Sequence, residues 1–92
     1  MGKEERKMDE TVVLAVNLRG IRAELHLTQE KLANKSGITL HCYNSLECCR
    51  SACRLDTLGS IAAALGMEIS ELMDSDRFPS DHYIAFQKSL KR

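Results

Sequence analysis

At 92 residues the chain has room for one small domain. Its 13 basic residues balance 13 acidic ones, and with no Trp and only 4% aromatic residues the core has to be built from Leu, Ile, Val and Ala. No apolar run approaches the roughly 18 residues of a membrane span. The charged start MGKEERKMDE does not read as a secretory signal, and Arg6 stands where a myristoylation signal needs Ser or Thr. A soluble, cytoplasmic protein with reduced thiols is expected, with no membrane partner.

In chain order, residues 1–10 read as a flexible segment, and a first helix starts near Asp9 to Thr11, either of which can cap it. Leu14, Leu18, Ile21 and Leu25 recur at the spacing of one buried helix face, so this helix is expected to end around Leu25 or His26. Thr28 is the next N-cap, with Leu27 and Leu32 spaced as a hydrophobic staple around it. The helix QEKLANKS stops at Gly37, a residue suited to the left-handed turn that ends helices. The same signals then repeat: Ile38, the cap Thr39 and Tyr43 at the staple position predict a third helix from about Leu40 to Cys48. Leu58, Ile61, Ala62 and Leu65 mark a fourth helix near Leu55 to Leu65, which ends at Gly66, and a short fifth covers Ile69 to Met73. DSDRFPSD reads as a linker. The tail 75–92 then carries a pattern for one more amphipathic helix, with Tyr83, Phe86 or Gln87, and Leu90 on one side.

Charge is unevenly placed. From Thr28 to Leu55, Lys31, Lys35, Arg50 and Arg54 stand against Glu30 and Glu47, whereas Glu68 to Asp81 is mostly acidic. A neutral chain arranged this way can offer a basic side to phosphate. The second and third helices are joined only by Gly37, Ile38 and Thr39, which forces a sharp crossing. Ala33 is small enough to sit where the helices touch, and Tyr43 and Leu46 pin the third helix to the core. These are the requirements of a helix-turn-helix, whose second helix can enter a major groove.

LTQEKLANKSGIT, the pair Leu46 and Glu47, and LDTLGSIAAALGMEISELM together resemble the phage-repressor-like (lambda repressor-like, Xre-type) helix-turn-helix family, over about Leu18 to Met73. The resemblance implies an all-α, five-helix DNA-binding domain over 11–74 with a short C-terminal extension. It implies binding to double-stranded DNA, usually as a homodimer, and a role in regulating transcription, most often as a repressor. By position, Gln29 would open the second helix and grip phosphate, beside the cap Thr28. Leu40, His41, Asn44 and Ser45 would face base edges, Lys35 and Arg50 the backbone, and the cap Thr39 would lie among the DNA-binding residues. Arg22 and Glu47 match a pair that in similar proteins ties the first helix to the end of the third. Three positions depart from the family: His26 and Cys49 replace turn glycines, and Cys53 replaces a common proline. Leu40 can read only by apolar contact, for example with a thymine methyl.

All four cysteines and His41 fall within HCYNSLECCRSAC. On a helix over Leu40 to Cys48 these thiols point in different directions, and the two separated C-x-x-C pairs of a zinc site are lacking. They read as small, partly apolar residues, with structural zinc and a redox switch at Cys48 or Cys49 as lesser readings. No metal, cofactor or enzymatic constellation is expected. A sequence-specific DNA-binding regulator is the first reading. A protein-interaction module with a degenerate helix-turn-helix, such as an antitoxin or assembly factor, is the alternative. Dimer contact is expected from the fifth helix and the tail beyond Ser75, because Phe78, Tyr83, Ile84 and Phe86 have little else to pack on.

Overall fold

A computed structural model describes residues 9–90. Within them the chain is all helical: α1 (Glu10–Leu25), α2 (Gln29–Ser36), α3 (Leu40–Glu47), α4 (Leu55–Leu65), α5 (Ile69–Leu72) and α6 (Ser80–Leu90). The flexible start expected over 1–10 falls mostly outside the described residues. Of its last two, Asp9 is the cap of α1, its carboxylate accepting from the Thr11 amide at 2.9 Å, and Glu10 is the first helical residue.

The starts of the next two helices follow from local chemistry. Thr28 Oγ1 accepts from the Lys31 amide and Thr39 Oγ1 from the Cys42 amide, each at 3.0 Å, satisfying donors that a helix start leaves open. The stops share one arrangement. At α1, α2, α3 and α4 a left-handed residue, His26, Gly37, Cys49 or Gly66, lets the following amide turn back to the carbonyl five positions earlier. The returning residues are Leu27, Ile38, Arg50 and Met67, at 2.9, 3.1, 2.9 and 2.9 Å. Three of them, Leu27, Ile38 and Met67, pack on the core. The fourth, Arg50, is exposed.

Two of these turns lack glycine, with φ of 57° at His26 and 59° at Cys49. A side chain in this conformation costs about 1–2 kcal/mol, against about 0.5–1 kcal/mol of extra chain entropy that Gly loses on folding. His26 is exposed, so His26→Gly is expected to stabilise by about 0.5–1 kcal/mol, raising the melting temperature by about 2–8 °C. Cys49 should show no such gain, because its thiol donates to the Thr11 carbonyl at 3.3 Å and its side chain packs beside Tyr83. Thermal melts of the two variants compare the sites directly; equal shifts would show that backbone strain alone sets both.

The core has two parts. Leu14, Leu18 and Ile21 of α1 meet Leu32, Ala33, Tyr43, Leu46, Leu58, Ile61, Ala62 and Leu72 in the main cluster. Leu25, expected on this face, is 52% exposed; it lies in the last turn of α1, past Ile21, the last residue of α1 that the core covers. The second cluster joins Val12, Val13 and Val16 to Tyr83, with Cys49, Phe78 and Phe86 half-buried around it. Between the clusters Asn17, fully buried, donates to the Leu72 and Asp74 carbonyls at 2.6 and 3.0 Å and accepts from the Tyr83 hydroxyl at 2.6 Å. The Phe78 amide donates to that hydroxyl at 3.1 Å. Phe78 lies so close to Gly20 that an added Cβ would sit 2.4 Å from its ring.

This corrects the expectation that the tail has little to pack on. Tyr83 is 1% exposed and Phe78 and Phe86 are half-buried against α1; of the four apolar residues assigned to a dimer contact, only Ile84 stays largely exposed, at 48%. The physical reason lies in α1, which is apolar on both sides from Val12 to Leu18 and so buries two faces rather than one.

Candidate nucleic-acid interface

α3 is short and is held from two sides, by α1 and by α2. Its inward face consists of Tyr43, Leu46 and Glu47, all buried. Glu47 is the one acidic residue of that group, its side chain 1% exposed, and four side-chain donor atoms converge on its carboxylate. Arg22 grips the carboxylate with two donors, Nε to Oε2 at 2.6 Å and Nη2 to Oε1 at 3.0 Å. The Tyr43 hydroxyl donates to Oε2 at 2.5 Å and Gln29 Nε2 to Oε1 at 2.8 Å. Arg22 Nη1 also donates to the Leu27 carbonyl at 2.9 Å, tying the α1–α2 turn to the same group. Arg19 donates to the Glu47 backbone carbonyl at 3.0 Å and lies 4.7 Å from the centre of the Phe86 ring. The pair Arg22 and Glu47 thus joins α1 to the end of α3.

Burial alone would push the Glu47 carboxyl up; the hydrogen bonds from Arg22, Tyr43 and Gln29 more than offset it and hold the group below the ordinary glutamate range. Burial, aided by the bond to Glu47, raises Tyr43 and keeps it a phenol. Glu47 is therefore an anion that cancels Arg22 inside the fold and leaves the outer charge of the motif to Lys31, Lys35, Arg50 and Arg54 against the single acid Glu30, all exposed. Arg54 lies 3.6 Å from Asp56.

The residues singled out in the sequence take several positions. Thr28 and Thr39 act as caps at the starts of α2 and α3, with their side chains at the surface. Leu40 is 46% exposed and His41 is exposed, both in the first turn of α3. Ser45 is half-buried, one turn further on. Lys35 is exposed in the last turn of α2, and Arg50 is exposed just past α3, where its amide closes the turn onto the Ser45 carbonyl. Gln29 and Asn44 are brought together directly: Gln29 Oε1 accepts from Asn44 Nδ2 at 3.1 Å. Since Gln29 Nε2 is committed to Glu47, the orientation of its amide is set, and this in turn sets that of Asn44. Asn44 keeps its second N–H and its Oδ1, which lies 3.8 Å from the Cys48 thiol. Spacing along the chain cannot reveal this link, because it depends on the angle at which α2 crosses α3. Arg19 was also missed; its only sequence signal is a cation on the second face of α1.

The thiols have separate surroundings: Cys49 faces Thr11, Cys48 faces Asn44 and Cys53 its neighbour's carbonyl at 3.5 Å. Burial pushes Cys49 and Cys53 up from the ordinary thiol value. Among the described residues no group of three His, Cys, Asp or Glu side chains is placed to hold a metal ion, and no helix is long and apolar enough to cross a membrane.

Comparison with known proteins agrees with this geometry. The Cro/C1-type HTH DNA-binding domain matches residues 17–76. A solved structure of a hypothetical transcription factor from Neisseria, NHTF, is 27% identical, with a TM-score of 0.70, covering 92% of this chain and 94% of that one. No curated protein matches the chain. The matched span takes in the two-helix motif, both threonine caps and the Arg22–Glu47 pair, and the chain belongs to the Cro/C1-type helix-turn-helix DNA-binding domain family.

Proposed function

We propose that this protein is a non-enzymatic, cytoplasmic regulator of transcription that binds double-stranded DNA sequence-specifically as a homodimer, acting as a repressor. One observation carries the reading: α3 commits Tyr43, Leu46 and Glu47 to the interior and turns Leu40 and His41 outward, among four exposed cations of which Arg50 ends a turn where the three equivalent positions are apolar and packed. A side chain kept out of the core at a position that elsewhere serves it is available to phosphate. The resemblance of the fold to that of a hypothetical transcription factor supports the same reading.

In this proposal α3 lies in the major groove. Leu40 meets a thymine methyl, Ser45 and His41 bond base edges, and Asn44, its amide oriented through Gln29, pairs with adenine, giving an A·T-leaning half-site. Thr28, Gln29, Lys35, Thr39 and Arg50 hold the sugar–phosphate backbone and set the register. Site selection from a random duplex pool is the test. Asn44→Ala or His41→Ala should cost about 1–3 kcal/mol on the selected site and much less on random DNA, whereas Lys35→Ala should weaken both about equally. No binding to any duplex at low salt would reject the reading and favour the alternative, a helix-turn-helix that binds a protein instead. Full sequence preference in both helix variants would show that α3 is not the reader.

A further inference from the structure

α6 has two unlike faces. Tyr83 is buried against α1 and Phe86 and Gln87 are half-buried beside it. At about 100° per residue, Asp81, Ile84, Ala85 and Lys88 form a single stripe on the opposite side, and all four are exposed. The stripe reads acid, apolar, apolar, base, with Asp81 in the first turn and Lys88 in the last. It has a special property: reversing the helix direction exchanges Asp81 with Lys88 and Ile84 with Ala85, so the stripe is complementary to a reversed copy of itself.

We propose that α6 is the contact between two copies of this chain, paired antiparallel about a two-fold axis that passes between Ile84 and Ala85. The inference rests on the reading of the protein as a dimeric DNA binder and supplies its interface. An axis at that point packs Ile84 and Ala85 on their counterparts and sets Asp81 of each copy opposite Lys88 of the other, the isologous arrangement of a closed dimer. Ala85 is small enough to let the two helix axes approach to about 8–10 Å. Along one edge the stripe borders an apolar groove of about 480 Å³ between α1 and α6, lined by Val16, Gly20, Ala23, Phe78, His82 and Phe86, since His82 and Ala85 are neighbours on the helix surface. One helix stripe lies at the low end of interface sizes. The pair is therefore weak when free and strengthened when two adjacent half-sites raise the effective concentration of one copy near the other.

Sedimentation of the full chain over a concentration series tests this without DNA. The native chain should show a concentration-dependent dimer. Asp81→Lys alone, or Lys88→Asp alone, places like charges together at both ends and should weaken association about tenfold. The combined Asp81→Lys, Lys88→Asp variant restores the complement and should recover it, and Ile84→Glu should abolish it. All four positions are exposed, and thermal melts identify any variant that fails to fold; the recovery in the combined variant cannot come from a folding defect. A chain that stays monomeric throughout, or a combined variant as weak as the single ones, overturns the proposal and leaves the stripe to a different protein. Binding of each variant to a random-sequence duplex at low salt is measured separately. Loss of DNA binding by the native chain with swap-sensitive dimers intact would overturn the regulator reading and not the interface.

Discussion

Arg22→Ala is expected to destabilise the fold by about 3–5 kcal/mol, because it leaves the carboxylate of Glu47 buried without its counter-charge. Domains of this size have about 5–14 kcal/mol in total, so a large part of the population should be unfolded in mild urea. The pair is not itself a large source of stability: desolvating two charges offsets most of their attraction. The cost arises from orphaning one partner, with Glu47 side chain 1% exposed and Arg22 21% exposed. Two controls follow. Glu47→Gln keeps the shape and should cost less, about 1–3 kcal/mol. Replacing Arg22 and Glu47 together by Met and Leu should recover much of the loss of the single Arg22 variant. Equal loss in the single and double variants would show that Arg22 acts by packing rather than by charge.

The same group gives the fold its acid sensitivity. Glu47 is held below the ordinary glutamate range in the folded state, after burial, which raises it, is outweighed by the bonds from Arg22, Tyr43 and Gln29. A depressed folded value means that its contribution is complete above the unfolded value, about 4.3, and is lost as the pH falls from there through the folded value. Asp9, lowered by its bonds to Thr11, acts in the same direction. Urea midpoints measured from neutral pH downward should therefore be flat and then drop below about pH 4, with a shallower drop in Glu47→Gln.

The second large effect is expected at Tyr83. Tyr83→Ala removes the ring that closes the Val12, Val13 and Val16 cluster and should cost about 3–5 kcal/mol, in the range of large aromatic truncations. Tyr83→Phe keeps the ring but leaves Asn17 Oδ1 and the Phe78 amide without the hydroxyl that they share, at about 1–3 kcal/mol. A chain ending at Met73, without α6, should melt far lower than the full chain. Truncation therefore cannot report on dimerisation alone, which is why surface charge swaps are the better probe. Melting followed by helical circular dichroism checks all three; a Tyr83→Phe melt equal to the native one would mean that water replaces the hydroxyl at no cost.

The five helices from α1 to α5 were legible because each is bounded by residues whose effect is local. Thr28 and Thr39 cap through their own hydroxyls, Gly37 and Gly66 adopt positive φ readily, and the turn Gly37, Ile38, Thr39 is too short to allow anything but a sharp crossing. His26 and Cys49, though not glycine, take the left-handed conformation that their positions in the pattern demand. The division of α3 into a buried side with Tyr43, Leu46 and Glu47 and an outer side with His41 follows from helical periodicity alone.

What the chain order does not contain is the angle between helices, and the remaining features depend on it. The second buried face of α1 was written in Val12, Val13 and Val16, but nothing in their spacing says that Tyr83, 67 to 71 positions further along the chain, would cover it; only packing of α6 onto α1 does. Likewise Gln29 and Asn44 meet because of the angle at which α2 crosses α3, a contact between residues 15 positions apart. Local sequence thus determined which segments are helical, where they stop and which side of α3 is outward, since caps and periodicity act within a turn or two. Tertiary structure alone decided that the tail belongs to the domain, that the Asn44 amide is oriented through Gln29 and Glu47, and that Ile84 is left at the surface, because each of these is set by which helix happens to lie against which.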